Sequence, residues 1–471
     1  MKIHKLSNSG STKISRFLAT GFALVLAVGL SAQSGFAQST NAAQSRLIIR
    51  DNLGLNGLLP ICALLRCSQT QALGDPQGQL FMIQVPSQLA PLTSLLNLSV
   101  LGLVSIETDQ TVQTQGSNAA NAPAYLYDRT PYSYYGTTVW HGYVFQTGNI
   151  LIRTDATHAA YGTAGAGVTV ADIDTGVDPN HPVLKNSLVA GYDFTRNQSG
   201  GSEMSDVSQS TVAVLDSTET AQVSQSTVAV LDQSTVAVLD GNGYQAFGHG
   251  TMTAGIIHLV APQATIMPLK AFSANGSAYN SNILRAIYYA VAHGAKVINM
   301  SFNYTTYSAE LANAVNYATA NGVICVAAAG NNGEQLTVYP AALKNVIDVA
   351  STNDEDGPST FSNYGAPPVW VAGPGEGVMT TYPFNSYAAG WGTSFSTPMV
   401  TGTAALMVAS YNAKHSGLLN SLLGALSATN FEPQAANALT HAQAISDPAM
   451  GHGRLDTYQA VQAWRSNLGL Q

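Results

Sequence analysis

The stretch GVTVADIDTGVD, Gly167–Asp178, decides how this chain is read. An apolar run broken only near its end by two acids closes on a Thr-Gly turn. Near-continuous hydrophobicity, in place of strict alternation, marks a strand covered on both faces, as in parallel sheets flanked by helices. The pattern continues downstream. SNILRAIYYAVAHG (281–294) reads as a helix closed by Gly294, AKVINMSF (295–302) as a strand, and AELANAVNYATANG (309–322) as a helix closed by Gly322. VICVAAAG (323–330) reads as another strand, and PMVTGTAALMVASYN (398–412) as a helix with Pro398 in its first turn. Strand and helix in alternation predict an α/β fold with a mostly parallel sheet, whose site lies at the carboxyl ends of the strands.

Four motifs fall at such places. DTGVD ends the first strand with Asp174, and GHGTMTAG (248–255) brackets His249 with glycines at a helix start. AAAGNNG (327–333) puts Asn331 on a loop after a strand, and GTSFSTP (392–398) puts Ser394 before a helix. Each alone is a common turn or cap. DTG is also the motif of aspartic proteases, but those need two copies and there is one. Together the four match a single chemistry. A serine hydroxyl is a weak nucleophile until an imidazole takes its proton. The imidazole needs a carboxylate to fix its tautomer, and the oxyanion needs waiting donors such as an amide side chain and a helix-start N–H.

With these motifs the chain resembles the subtilisin-like serine peptidases, the subtilases, over about residues 140–465. VADIDTGVD, GHGTMTAG, VAAAGNNG and GTSFSTPMVTGTAAL are similar to that family's Asp, His, oxyanion and Ser motifs. The resemblance implies a three-layer α/β fold and a secreted endopeptidase, with Asp174, His249 and Ser394 as triad and Asn331 in the oxyanion hole. It also implies that Ser301, Phe302 and Asn303 of INMSFNY, with Ala328, Gly330 and Val338, bind substrate. Phe302 and Asn303 stand where the family has Leu-Gly, so a side chain at 303 should crowd a subsite. Val338 would fill the primary pocket and favour small or modest apolar P1 residues. No cofactor is required. The usual high-affinity calcium loop is missing between His258 and Val260, although acids such as Asp178, Asp354 and Asp356 could supply oxygens to calcium elsewhere. Asp172, on the same strand face as Asp174, either raises the triad carboxylate's pKa or finds backbone partners of its own. An intact set of four residues disfavours a silent binding protein of this fold, and a repeat-bearing assembly protein would rest on one insertion alone.

Residues 1–139 divide further. Lys2, Lys5, Lys13 and Arg16 precede the apolar run Phe17–Leu30 and a small-residue site at Gly35–Ala37, the form of a signal peptide over 1–37. Residues 38–110 hold strand-like RLIIR and LFMIQV, helix-like LNGLLPICALLRC and SQLAPLTSLLNLS, and a closing LVSIETD, roughly βαββαβ and so ferredoxin-like. By resemblance this is an inhibitory propeptide acting on its own catalytic domain, joined through a linker at 111–139 to residues 140–471, whose tail GHGRLDTYQAVQA resembles the end of that domain. Cys62 and Cys67 could pair in an oxidising compartment, though five residues is wide for one helical face, and Cys325 reads as a buried apolar residue. Three copies of QSTVAVLD begin at 209, 225 and 233, a repeat insertion over 209–240 whose even period suits short strands. Charged residues are 9% and net charge is −8, against nucleic acid or anionic membrane as a partner. The expectation is a secreted or periplasmic monomer acting on proteins or peptides, with no membrane attachment after signal cleavage.

Overall fold

The computed structural model describes residues 43–91, 102–113, 123–207, 228–230, 244–365, 369–415 and 431–470. The signal-peptide stretch, most of the second N-terminal helix expected at 87–99, the first part of the linker and all but three residues of the octads lie outside them.

The N-terminal unit runs β1 (Gln44–Asp51), α1 (Leu55–Leu65), β2 (Gln69–Ala72), β3 (Leu80–Pro86) and β4 (Leu103–Thr108). Its antiparallel sheet has the order β2-β3-β1-β4. Side chains alternate across a strand, and here both faces are used. Leu47, Ile49, Phe81 and Ile83 pack on Leu58, Ile61 and Leu65 of α1, while Ile48, Leu80 and Met82 join the core of the larger unit beside Ile283 and Ile287. Cys62 and Cys67 form a disulfide. The helix ends in left-handed Arg66, which turns Cys67 back so that its N–H donates to the Cys62 carbonyl at 3.0 Å. The spacing that looks too wide for a helix face thus spans a helix end.

The stretch read as a linker is built where it is described. β5 (Thr111–Gln113) pairs with a strand of the larger unit, and β6 (Pro131–Tyr134) and β7 (Thr137–Trp140) make a hairpin. Buried Tyr134 donates its hydroxyl to the Leu259 carbonyl at 2.6 Å. The aromatic residues scattered through a polar segment are what anchor it.

The central sheet has the order β10-β9-β12-β8-β14-β15-β16-β17 and is parallel except at its β10 edge. Its strands are β8 (Thr169–Asp174), β9 (Tyr192–Asp193), β10 (Gln198–Ser199), β12 (Thr265–Lys270), β14 (Val297–Met300), β15 (Ile324–Ala328), β16 (Val346–Thr352) and β17 (Val371–Pro374). In the octads β11 (Val228–Val230), the centre of the second copy, pairs antiparallel with β19 (Ser386–Gly390) of the β18–β19 hairpin, β18 being Val378–Tyr382. One face of the sheet carries α3 (Asn280–Ala292), preceded by β13 (Ser277–Tyr279), and α4 (Ala309–Ala320). The other carries α2 (His249–Val260) and α5 (Thr393–Lys414), with α6 (Thr457–Asn467) packed outside α5 through Trp464. Every residue of α2 is buried, which explains why its sequence shows no polar stripe.

One helix boundary differs from the sequence expectation. α5 begins at Thr393, so Pro398 lies inside the helix instead of in its first turn. Proline has no N–H, so the carbonyl four residues back, that of Ser394, loses its intrahelical donor. The hydroxyl of Ser301 takes that place at 3.0 Å.

Candidate active site

Asp174, His249, Asn331 and Ser394 come from four separated segments and meet at the carboxyl edge of the sheet. Asp174 ends β8, His249 opens α2, Asn331 follows β15, and Ser394 is the second residue of α5. The Asp174 carboxylate faces Nδ1 of His249 with Oδ1 at 2.8 Å and Oδ2 at 2.9 Å. A proton on Nδ1 is thereby fixed, and Nε2 is left as the basic end of the ring; it is buried and has no hydrogen-bond partner. The ring lies 5.8 Å, centroid to centroid, from Phe395, the residue after Ser394. Burial alone would push the imidazole down, but the charge and hydrogen bonds of Asp174 outweigh it and hold His249 above the ordinary histidine value.

Close backbone approach makes this possible. A Cβ at Gly250 would sit 2.1 Å from the Gly176 carbonyl oxygen, so only glycine lets the start of α2 reach the turn after β8. Buried Glu203 locks the two together. Its Oε2 accepts from Gly248 N at 2.7 Å and from Thr175 Oγ1 at 3.1 Å, and its Oε1 accepts from the Thr251 hydroxyl. Burial, the largest influence, pushes this carboxyl up to about 8 against those hydrogen bonds and Lys270. Fully buried Lys270 donates to the carbonyls of Thr175 and Phe272 and pairs with Asp206 at 2.7 Å.

On the serine side, Ser394 Oγ donates to the Ser301 carbonyl at 3.0 Å. Its own N–H, at the second position of α5, has no intrahelical acceptor. Asn331 is oriented from the same helix, for its Oδ1 accepts from Thr393 N at 2.8 Å and Thr393 Oγ1 at 2.9 Å. Those bonds fix the plane of the amide and hence the direction of Nδ2. The Gly330 N–H donates to Thr393 Oγ1 at 3.1 Å, and Asn363 braces the loop by donating to the Ala329 carbonyl and accepting from Asn332 N.

The expected substrate residues do not all present side chains. Ser301 supports the first turn of α5 through the Ser394 carbonyl. Phe302 and Val338 are buried in the apolar core, Phe302 packed 4.8 Å from Phe272, so they can shape a wall only from behind. Asn303 is 5% exposed, its Oδ1 buried without a partner, and its side chain lies 3.2 Å from where a Cβ on Gly330 would be. Ala328 ends β15, fully buried. Asp178, one of the acids that could supply oxygens to calcium, is buried and tied to the main chain, its Oδ1 accepting from Asn180 N and its Oδ2 from Phe384 N. Asp356 pairs with Arg454. Among the described residues no three or more His, Cys, Asp or Glu side chains converge as metal ligands. Cys325 is fully buried, and burial pushes its thiol up to about 12. The partners of Asp172 are side chains, Thr253 and Asn299, and not backbone groups.

The model of the subtilase family matches residues 165–453, leaving the N-terminal sheet outside the match. Thermitase of Thermoactinomyces vulgaris is 34% identical over 253 residues, 52% of this chain and 75% of thermitase. Subtilisin DY of Bacillus licheniformis is 34% identical over 270 residues, 55% of this chain and 83% of that protein. Among solved structures, a lanthipeptide protease superposes with a TM-score of 0.50 at 26% identity, covering 66% of this chain and 93% of its own.

Proposed function

The chain belongs to the subtilase family of serine peptidases, and from that premise we propose that it is a secreted or periplasmic endopeptidase working through Asp174, His249 and Ser394. The observation that carries the assignment is the Asp174–His249 pair, with Nδ1 held at 2.8 and 2.9 Å and Nε2 bare beside the start of α5. Rotation of Ser394 about its Cα–Cβ bond exchanges the Ser301 carbonyl for His249 Nε2. The hydroxyl proton passes to Nε2 as Oγ attacks the peptide carbonyl, and the imidazolium then gives that proton to the leaving amine. Water repeats the cycle to release the acyl group. The oxyanion is met by the Ser394 N–H and the Asn331 amide, whose direction Thr393 fixes. Replacement of Ser394 by alanine should abolish casein hydrolysis; persistent hydrolysis by the purified variant refutes the assignment.

The N-terminal unit is an inhibitory propeptide in this reading, and its docking supports that. Asp109 accepts from the N–H and hydroxyl of Ser281 at the start of α3, and Glu107 accepts from Ser308, the N-cap of α4. Both acids thus meet the positive end of a helix. Arg50 reaches across to Glu310 at 2.6 Å. β5, which follows directly, lies antiparallel to β13 in the extended form a peptide substrate would take along that edge. No metal is assigned a role. The signal-peptide sequence is the basis for export, and among the described residues no helix is long and apolar enough to cross a membrane.

A further inference from the structure

Asp172 lies under the site, and the mechanism above gives it no task. It stands two residues before Asp174 on β8, so the two side chains leave the same face of the strand, and it is 1% exposed. Its Oδ1 accepts from Asn299 Nδ2 at 2.9 Å and its Oδ2 lies 2.8 Å from the Thr253 hydroxyl. Thr253 is four residues past His249, on the same face of α2. Asn299 Nδ2 also donates to Ser301 Oγ at 3.0 Å, and Asn299 Oδ1 accepts from Thr401 of α5 at 2.8 Å. One carboxyl therefore links the strand of Asp174, the helix of His249, the strand below Ser301 and, through Asn299, the helix of Ser394.

The placement of this carboxyl, more than its bonding, favours a proton on it. The Thr253 hydroxyl lies 2.8 Å from Asp172 Oδ2 and 3.1 Å from the Gly250 carbonyl, and a hydroxyl has one hydrogen to give. The Gly250 carbonyl also has the Ala254 N–H one turn on in α2, so Thr253 can serve either group. With a proton on Oδ2, Asp172 donates to Thr253; without it, Thr253 donates to Asp172. What opposes ionisation is a second buried carboxylate two residues away on the same strand face. The charged groups nearest Asp172 are Asp174 on its own strand and His249 on α2, while Pro268 of β12, Asn299 of β14 and Thr401 of α5 carry none. Two residues along β12, Lys270 is paired with Asp206, and Glu203 acts on His249 from its place at the start of α2. Burial first, and the Asp174 charge second, push the carboxyl up to about 8.

We propose that Asp172 is a positioning residue that carries a proton in the neutral enzyme and, on releasing it to solvent in alkali, sets a second negative charge behind His249. The inference rests on the roles of Asp174, His249 and Ser394 assigned above. When Asp172 ionises, Thr253 swings its hydrogen from Gly250 to Oδ2 and the cluster stays bonded. The imidazolium formed during acyl transfer then faces two carboxylates instead of one, so the alkaline form is the faster catalyst.

The test is kcat/KM for a peptide amide, with the rate of fluorophosphonate inactivation alongside, from about pH 5 to about pH 11. The wild type should rise twice, first as His249 becomes neutral and again near about pH 8, the second step being roughly three- to tenfold. Asp172→Asn and Asp172→Val should keep the first rise and lose the second. The valine variant leaves Thr253 bonded to Gly250 and Asn299 to Ser301, so it has no reason to unfold. A purely structural role would instead lower activity equally at every pH. A second rise that survives in the variants, or a single rise in the wild type, overturns the inference. Glu203→Gln, measured alongside, keeps the second rise if Asp172 is its source and loses it if Glu203 is, which would also overturn the inference. A wild type that never reacts with fluorophosphonate overturns the triad assignment and this inference with it.

Discussion

Ser394 and Ser301 exchange hydrogen bonds, the hydroxyl of each donating to the main-chain carbonyl of the other at 3.0 Å. The cause is in the sequence, because Pro398 denies the Ser394 carbonyl its helical donor. Ser301→Ala leaves that carbonyl buried and unpaired, which costs about 1–3 kcal/mol. Thermal unfolding should show a loss of that size, and kcat should fall several-fold as the first turn of α5 loosens. An unchanged melting temperature would mean that another donor replaces Ser301.

Glu203 joins the turn after Asp174 to the start of the His249 helix through Thr175, Gly248 and Thr251. Glu203→Ala removes the acceptor of three buried donors, so destabilisation of about 2–4 kcal/mol is expected, together with a lower kcat. Because the folded carboxyl is raised to about 8 above its ordinary 4.5, the wild type binds more protons than the unfolded chain between those values. The glutamate's contribution is full below the ordinary value and fades as pH rises toward about 8. Denaturant titrations at several pH values should lose that alkaline decline in Glu203→Gln.

His258 gives the opposite sign. Burial, with His181 nearby, pushes it from 6.5 down to about 4, and its Nε2 has no partner. The unfolded chain binds the proton first, so stability falls as pH drops from about 6.5 to about 4, by up to about 3 kcal/mol. His258→Leu should flatten that part of the curve; an acid transition of unchanged depth would assign it to other groups.

Arg50 makes a two-nitrogen contact with Glu310 across the face between the N-terminal unit and α4, with Asp75 at 3.6 Å behind it. Arg50→Ala leaves Glu310 with Ser105 and Asn313 alone. In the full, unprocessed chain this variant should react with fluorophosphonate several-fold more than the wild type, if the N-terminal unit is the inhibitor. Equal reactivity would detach that unit from control of the site.

The fold class and the four residues of the candidate site are legible because each sits at an element end and carries a local pattern, an apolar run closed by a glycine turn or a glycine-flanked polar residue. The supports are not. Thr253, Asn299 and Glu203 meet their partners across 28 to 127 residues of chain, and no period of two or 3.6 encodes such a meeting. Glu203, in SGGSEMSD, reads as a plain polar loop. The start of α5 was misplaced because proline normally marks a first turn, and only Ser301, far away in sequence, makes an interior Pro398 tolerable. That Phe302 and Val338 pack in the core behind the site is likewise not visible in the local sequence, because their neighbours, such as Phe272, come from other elements.

The central claim is that Ser394, activated by the His249–Asp174 pair, is the nucleophile. The most direct measurement is fluorophosphonate labelling of the purified, processed protein, with the modified residue located by mass spectrometry and Ser394→Ala as the control. The account predicts one adduct, on Ser394, absent from the variant, and casein hydrolysis that disappears in step with labelling. A folded, processed wild type that takes no label, or takes it on another residue while still digesting casein, would contradict it.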